Sequence, residues 1–541
     1  MLIMPSRFNI GNPRVALWAR ISPGSWLGIL GLLLLFAGLR WNNFNAPLTP
    51  DEGEYAYSAQ LLTAGIAPYQ HAFMQKPPMI IYSYAFSHLL LPDVFWAPRL
   101  LAGLFVGLAT VLLGWIARLE FGPGLALPAM WLATPMILFP GLAQFAANTE
   151  LFLLLPLLAM TAAYVYSRHH GYSPCICFAG AVFGVATLFY KYTALPLVLF
   201  LWVNWLVEIY RLPDGKIFWR SVALSALGAV AAAFVILGFF LIRDGGAALW
   251  ECTVSFNRYY LNTGTFGLAG LRENVAVLSR HWWPVMLISS LALVKPVPRT
   301  GFWFGLLLCA VLSTGASWYG QYYVLIMPFW ALLAALGIRS LAAWAARRLV
   351  RPQKVIERIL LGCLVIVLVL PDLLWLTYPP EKFVAESLTE NSPLLVARLA
   401  ATRVAGLTAP DELVCVVGSD PELLCYARRR SPTRFVTAYE LVFPSPFKRG
   451  YQLEMMRDLQ AHPPAMIVLT RSWLSMESPP SELFGYIQKT LAEDYRRIGG
   501  YVMSDQKLQW IEPLTDREAA HSSLTLFKRN PSRGDAPAPV N

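Results

Sequence analysis

The sequence predicts a polytopic α-helical membrane protein with a small C-terminal α/β domain. Of its 541 residues, 56% are hydrophobic and only 14% are charged, against roughly 25% charged in soluble domains. Apolar runs of about 17 to 25 residues, the length that crosses a bilayer, recur between Trp26 and Leu376. Beyond Leu376 the pattern shortens to alternating strand-like and helix-like segments.

The apolar runs read as about eleven transmembrane helices: 25–41, 98–117, 123–141, 146–166, 174–190, 192–209, 220–242, 278–294, 301–317, 321–340 and 357–376. Residues 1–24 carry Arg7, Arg14 and Arg20 without a small-residue cleavage site, so the first run reads as a retained anchor with a cytoplasmic N-terminus. The next basic clusters fall at alternate loops: Arg118, Arg168, Arg211 with Lys216 and Arg220, Lys295 with Arg299, and Arg339 to Arg358. Positive charge collects on the cytoplasmic side of membrane proteins. The formal charge of +11 is therefore explained by loops, not by nucleic-acid binding. An odd number of crossings puts the C-terminus outside.

Residues 42–97 and 243–277 form the two long outside loops. Within the first, the apolar stretch Met79 to Leu91 is too short to cross comfortably and reads as an interfacial helix. In the C-terminal region 377–530, strands are expected at Leu413–Gly418, Arg434–Leu441 and Ala465–Thr470, with helices at Pro421–Arg428, Tyr451–Ala461 and Glu482–Tyr495. The tail 531–541 reads as disordered. Seven cysteines show no zinc spacing, and whether Cys415 and Cys425 pair is open.

Chemistry concentrates in the first outside loop. Thr49-Pro50-Asp51-Glu52-Gly53-Glu54-Tyr55 has the form of a helix start, with Thr49 as N-cap, Pro50 at the first helical position and Glu52 closing a capping box. Capping accounts for the acids but not for their place at the membrane surface, where a fixed carboxylate can take a proton from an acceptor hydroxyl. Lys76, before Pro77-Pro78, is set at a defined position and suits a phosphate; the bland alternative is a snorkelling surface lysine. Glu150, near the outer end of a span, is costly there unless it faces protein or a wet cavity. Lys191 sits at another outside junction, and Gln321-Tyr322-Tyr323 opens a later span on the same face, where interfacial aromatic anchoring is the competing reading. The seven histidines form no metal set, and no Walker or nucleophile-elbow motif is present.

Together, Asp51-Glu52 with Tyr55, Lys76-Pro77-Pro78, Arg99-Leu100, Asn148-Thr149-Glu150, Lys191 and Gln321-Tyr322-Tyr323 with Pro328 resemble the GT-C glycosyltransferases that use lipid phosphosugars. The resemblance covers the whole membrane region and is strongest to the bacterial branch of protein O-mannosyltransferases and lipid A aminoarabinose transferases. It implies a polyprenyl-phosphate-linked sugar as donor and transfer at the outer face, with inversion. By matching position, Asp51 and Glu52 are the expected catalytic acids. Tyr55, Lys76, Glu150, Lys191, Tyr322 and Tyr323 are the expected substrate-binding residues. The chain departs from the aminoarabinose branch at Gln75, where that branch has glutamate, and at Glu54, where it has arginine.

The expectation is a bacterial inner-membrane glycosyltransferase of hexosyl or pentosyl type, with a periplasmic C-terminal domain and a lipid, glycan or protein acceptor. Nucleic acid is not an expected partner. No cofactor is called for, although a divalent cation on Asp51 is compatible with an acceptor that is already a phosphate. Two rivals remain: a flippase for lipid-linked sugars, and an assembly protein whose outside domain binds partners.

Overall fold

The computed structural model describes residues 23–44, 46–139, 145–263, 268–293, 298–314, 320–371, 373, 377–378, 394–471, 481–504 and 507–531. Most of the N-terminal segment, Lys295 and the tail 532–541 lie outside the described residues, and so do the expectations placed on them.

A helix lies at each expected apolar run. Helix α1 spans Pro23–Arg40. Helix α2, Pro50–Thr63, and helix α3, Met79–Leu90, both fall in the first long loop. The succession continues with α4 Ala97–Phe121, α5 Ala126–Ile137, α6 Thr149–His170, α7 Pro174–Tyr190, α8 Leu195–Tyr210 and α9 Gly215–Ile242. It ends with α10 Leu268–Ser290, α11 Thr300–Ser313, α12 Met327–Leu349 and α13 Gln353–Val369.

Among the described residues, five stretches are long and apolar enough to cross a membrane: Ala97–Phe121, Thr149–His170, Tyr192–Tyr210, Gly215–Ile242 and Met327–Leu349. The remaining apolar helices are shorter. Helix α10 is kinked at Trp282, two residues before Pro284, whose ring cannot be fitted into an unbroken helical ladder.

The C-terminal region folds on a five-stranded mixed sheet. Its strands are β1 Val414–Val417, β2 Met466–Thr470, β3 Tyr495–Ser504, β4 Lys507–Ile511 and β5 Ser522–Arg529, in the order β1-β2-β5-β3-β4. β1 and β2 are parallel, with Val416 opposite Val468. Their short runs are nearly continuous in β-branched residues, as strands covered on both faces are. The crossover carries α14 Glu422–Ala427 and α15 Lys448–Ala461, while α16 Glu482–Asp494 leads into β3. Strands β3, β4 and β5 are antiparallel additions that the sequence reading did not anticipate.

One expected strand is corrected. Arg434–Leu441 forms irregular backbone and the start of a short helix, Tyr439–Val442. This segment is consumed by contacts with the membrane part: Phe73 N–H donates to Arg434 O at 2.6 Å, and Phe435 stacks on Phe73 at 5.9 Å. Cys415 and Cys425 are both buried free thiols.

The sheet domain is docked on the first loop. The Arg434 guanidinium reaches Glu251 at 3.0 Å and Glu454 at 2.7 Å, and lies over the rings of Phe73, Phe435 and Tyr451. Phe73, Phe256, Phe435 and Tyr451 form one aromatic cluster across the junction.

Candidate active site at the start of helix α2

The helix start read from the sequence is present in full. Thr49 Oγ1 accepts from the Glu52 N–H at 3.3 Å, and Glu52 Oε2 accepts from the Thr49 N–H at 3.0 Å, with Pro50 at the first helical position. Helix geometry then sends successive side chains about 100° apart, so each residue of the motif meets a different neighbour.

Glu52 turns into the protein. Arg99, entering from the first turn of α4, donates through Nε to Oε1 at 2.8 Å and through Nη2 to Oε2 at 2.5 Å. Both side chains are wholly buried. The Ala147 N–H adds a third bond to Oε1 at 2.8 Å, and Arg99 also donates to Ala46 O and Pro47 O, each at 2.7 Å. The Arg99 charge and these donors hold the Glu52 carboxyl below its usual range despite burial.

Gly53 meets the sheet domain. A Cβ built there would lie 2.4 Å from the Glu422 backbone nitrogen, so only a hydrogen lets α2 and α14 approach this closely. The Glu422 carboxyl is fully buried with neither oxygen hydrogen-bonded among the described residues, and burial with nearby Asp420 pushes it well up.

Asp51 and Glu54 face another way. Among the described residues no protein donor hydrogen-bonds to Asp51, which is partly accessible. Burial raises its carboxyl, Lys76 is the cation that opposes this most strongly, and Glu150 and Lys191 act on it from further round the site. Glu54 is buried, and its carboxyl is pushed well up by burial, then by Glu440 and Asp51. Glu440, from the sheet domain, accepts from Gln75 Nε2 at 3.0 Å and from Thr437 Oγ1 at 2.7 Å. Asn257 Nδ2 donates to Gln75 O at 2.8 Å, and Tyr69 O–H to Lys76 O at 2.7 Å, fixing the segment before the two prolines.

The other expected residues gather on the same side. Lys191 Nζ donates to Glu150 Oε1 at 2.5 Å and lies 2.9 Å from the ring centroid of Tyr322. Thr149 Oγ1 donates to Glu150 Oε2 at 3.1 Å. Tyr55 is buried edge-on to Tyr84, with centroids 5.5 Å apart, and Tyr323 is buried beside Tyr322.

Two members escaped sequence reasoning. Glu54 was noted only as a departure from a family pattern, although its spacing from Asp51 puts it within one helical turn of the same face. Glu440 left no local signal, because only domain docking brings it near. Among the described residues no group of three or more His, Cys, Asp or Glu is placed to hold a metal ion.

Among the described residues, this arrangement combines an acid without a hydrogen-bond donor, a cation acting on it and buried aromatics at one end of a helical bundle. It can accept a proton beside a bound phosphate. No family model matches the sequence, and no curated protein matches it. Solved structures match the fold. ArnT from Cupriavidus metallidurans bound to undecaprenyl phosphate superposes with a TM-score of 0.55 at 16% identity, over 96% of this chain and 100% of that chain. The apo state of the same protein gives 0.56 at 16% identity, over 94% and 98%. The arabinofuranosyltransferase AftD from Mycobacteria gives 0.52 at 12% identity, over 95% of this chain and 40% of that one. The chain shares its fold with ArnT and AftD.

Proposed function

We propose that this chain is a membrane glycosyltransferase, of hexosyl or pentosyl type, that moves a sugar from a polyprenyl-phosphate donor to a lipid, glycan or protein acceptor. The observation that carries the proposal is Asp51: its carboxylate has no protein donor among the described residues, and Lys76 is the cation acting most strongly on it. The undecaprenyl phosphate bound by ArnT, whose fold this chain shares, supports the donor class.

The acceptor hydroxyl oxygen attacks the anomeric carbon while its proton passes to Asp51. The bond from that carbon to the phosphate oxygen breaks, the electron pair leaves on polyprenyl phosphate, and Lys76 offsets the charge. A single displacement inverts the anomeric configuration. Glu52 moves from the expected catalytic pair into the frame, because Arg99, Ala147 and Thr49 occupy its carboxylate. Lys191, expected among the substrate-binding residues, is committed to Glu150 and the Tyr322 face. That pair walls the site, with Tyr55 and Tyr323 as its aromatic lining.

In this reading eleven helices cross a bacterial inner membrane, the N-terminus is cytoplasmic, and α2, α3 and the sheet domain lie at the periplasmic face. The test is purified protein in lipid with radiolabelled polyprenyl-phosphate sugars and envelope extracts, comparing wild type with Asp51→Asn. Label moving to an acceptor with wild type alone supports the proposal. Equal transfer by the variant overturns the role of Asp51, and translocation of the donor without transfer supports the flippase.

A further inference from the structure

The face of α2 turned away from Asp51 borders a second cleft. Its volume is about 380 Å³, and it lies between Tyr57 and Gln60 of α2, His88 at the end of α3, Asp93, and the consecutive arginines 428 to 430 of the sheet domain. Both walls are anchored: Gln60 Nε2 donates to Cys425 O at 3.2 Å, and Tyr57 O–H accepts from the Ser431 N–H at 2.9 Å.

The cleft is positive. Arg428 and Arg430 are exposed. Arg429 is buried and, among the described residues, donates to neutral oxygens, including Thr408 O at 2.7 Å, Thr408 Oγ1 at 2.9 Å and Ala427 O at 3.0 Å. Asp93 is the acid in the lining and pairs with Arg428. Three arginines against one aspartate leave a surplus of two positive charges. Among the described residues Arg430 has no acidic partner.

The rim is apolar. Phe86, Leu89 and Leu90 on α3 are 52%, 70% and 60% exposed, and Trp96 and Leu100 stand exposed where α4 begins its apolar run. A positive cleft next to exposed apolar side chains at the start of a long apolar helix has the composition of a site at headgroup depth.

We propose that this cleft binds the phosphate of an anionic membrane-lipid headgroup, with Arg428 and Arg430 as its ligands. The site lies on the opposite face of α2 from Asp51 and does not depend on the transfer reaction. Arginine suits a phosphate because its planar fork can present two parallel N–H donors.

The test is native mass spectrometry of the full-length protein in detergent with phosphatidylglycerol or phosphatidylcholine, alongside thermal shifts with inorganic phosphate alone. Phosphatidylglycerol should be retained over phosphatidylcholine. At about 1 kcal/mol per basic residue near the surface, Arg430→Gln should weaken its retention about 5-fold, and the Arg428→Gln/Arg430→Gln pair on the order of 30-fold. Arg428→Lys/Arg430→Lys should retain more of the lipid than the glutamine pair, because the charge is kept. Arg430→Gln keeps the test usable if the double variant misfolds, since that side chain is exposed and unpaired. Undiminished retention by a folded Arg430→Gln variant overturns the proposal. Stabilisation by inorganic phosphate without a preference for phosphatidylglycerol overturns the lipid assignment in favour of a free phosphate ester.

Discussion

Arg99 forks onto both carboxylate oxygens of Glu52, at 2.8 and 2.5 Å, with neither side chain reached by solvent. That pair binds the start of α2 to the start of α4 and fixes the direction of Asp51. Removing one partner of a buried pair costs about 3–5 kcal/mol, because the other charge is left without compensation. Glu52→Gln should therefore destabilise the protein by about that much in denaturant unfolding in detergent, and a double-mutant cycle with Arg99→Gln should show strong coupling. Unchanged stability with transfer abolished would return Glu52 to the catalytic set.

Asp51→Asn should behave in the opposite way. Loss of Asp51 in its proposed role of general base, worth about 10²- to 10⁴-fold in rate, should lower transfer by that range with the fold retained. Its carboxyl holds a proton more tightly in the folded than in the unfolded chain. The ionised group therefore opposes folding at a pH above its folded pKa, and the linked stability falls as pH rises from its unfolded value through the folded one. Unfolding at neutral pH should show Asp51→Asn equal to or more stable than wild type; marked destabilisation would mean that Asp51 is structural.

The rate should also fall as the medium is acidified through a pKa above the ordinary aspartate value of about 3.9, because the base must be ionised. Lys76 lowers the Asp51 carboxyl, so Lys76→Met should move this acid limb to higher pH as well as raise KM for the donor. A pH–rate profile of kcat/KM for the two proteins decides this. An unmoved limb in the variant would break the link between Lys76 and Asp51.

Gly53→Ala should loosen the sheet domain. Its new methyl group would meet the Glu422 backbone at 2.4 Å, and overpacking of this kind costs about 1–3 kcal/mol. Limited proteolysis should cut the variant faster near residues 420–440, with transfer reduced as Glu440 withdraws. An unchanged cleavage pattern would show that α2 and α14 can separate without consequence.

Arg434→Gln attacks the same docking from the other side of the aromatic cluster. It removes two ion pairs, to Glu251 and Glu454, and a hydrogen bond to a charged group is worth about 1.5–3 kcal/mol. Amide hydrogen exchange should quicken in α15 and around Phe73, while the protected amides of α6 and α12 stay as they are. Exchange confined to residues 430–436 would show that the domain is held by its apolar contacts alone.

How much of this was legible follows from the range of each interaction. The apolar runs, the short strands β1 and β2 and the capping box of Thr49 and Glu52 are encoded within a few residues, because span length, strand alternation and cap chemistry are local. Asp51 and Lys76 could be named for the same reason: each is fixed by its own helix start or proline pair.

The partners of those residues were not legible. The sequence places Asp51, Glu52, Gly53 and Glu54 in one short run, but it does not say that Arg99 takes Glu52, that Glu422 presses on Gly53, or that Glu440 stands near Glu54. It placed Lys191 among the expected substrate-binding residues, and in the structure Lys191 lies against Glu150 and Tyr322. The antiparallel strands β3, β4 and β5 also depended on pairing across distant segments. The sequence by itself determined which side chains stand at the start of helix α2 and beside the proline pair. Only the tertiary structure decided which carboxylate keeps its oxygens free of protein donors among the described residues, because that depends on charges and backbone donors brought together from far along the chain.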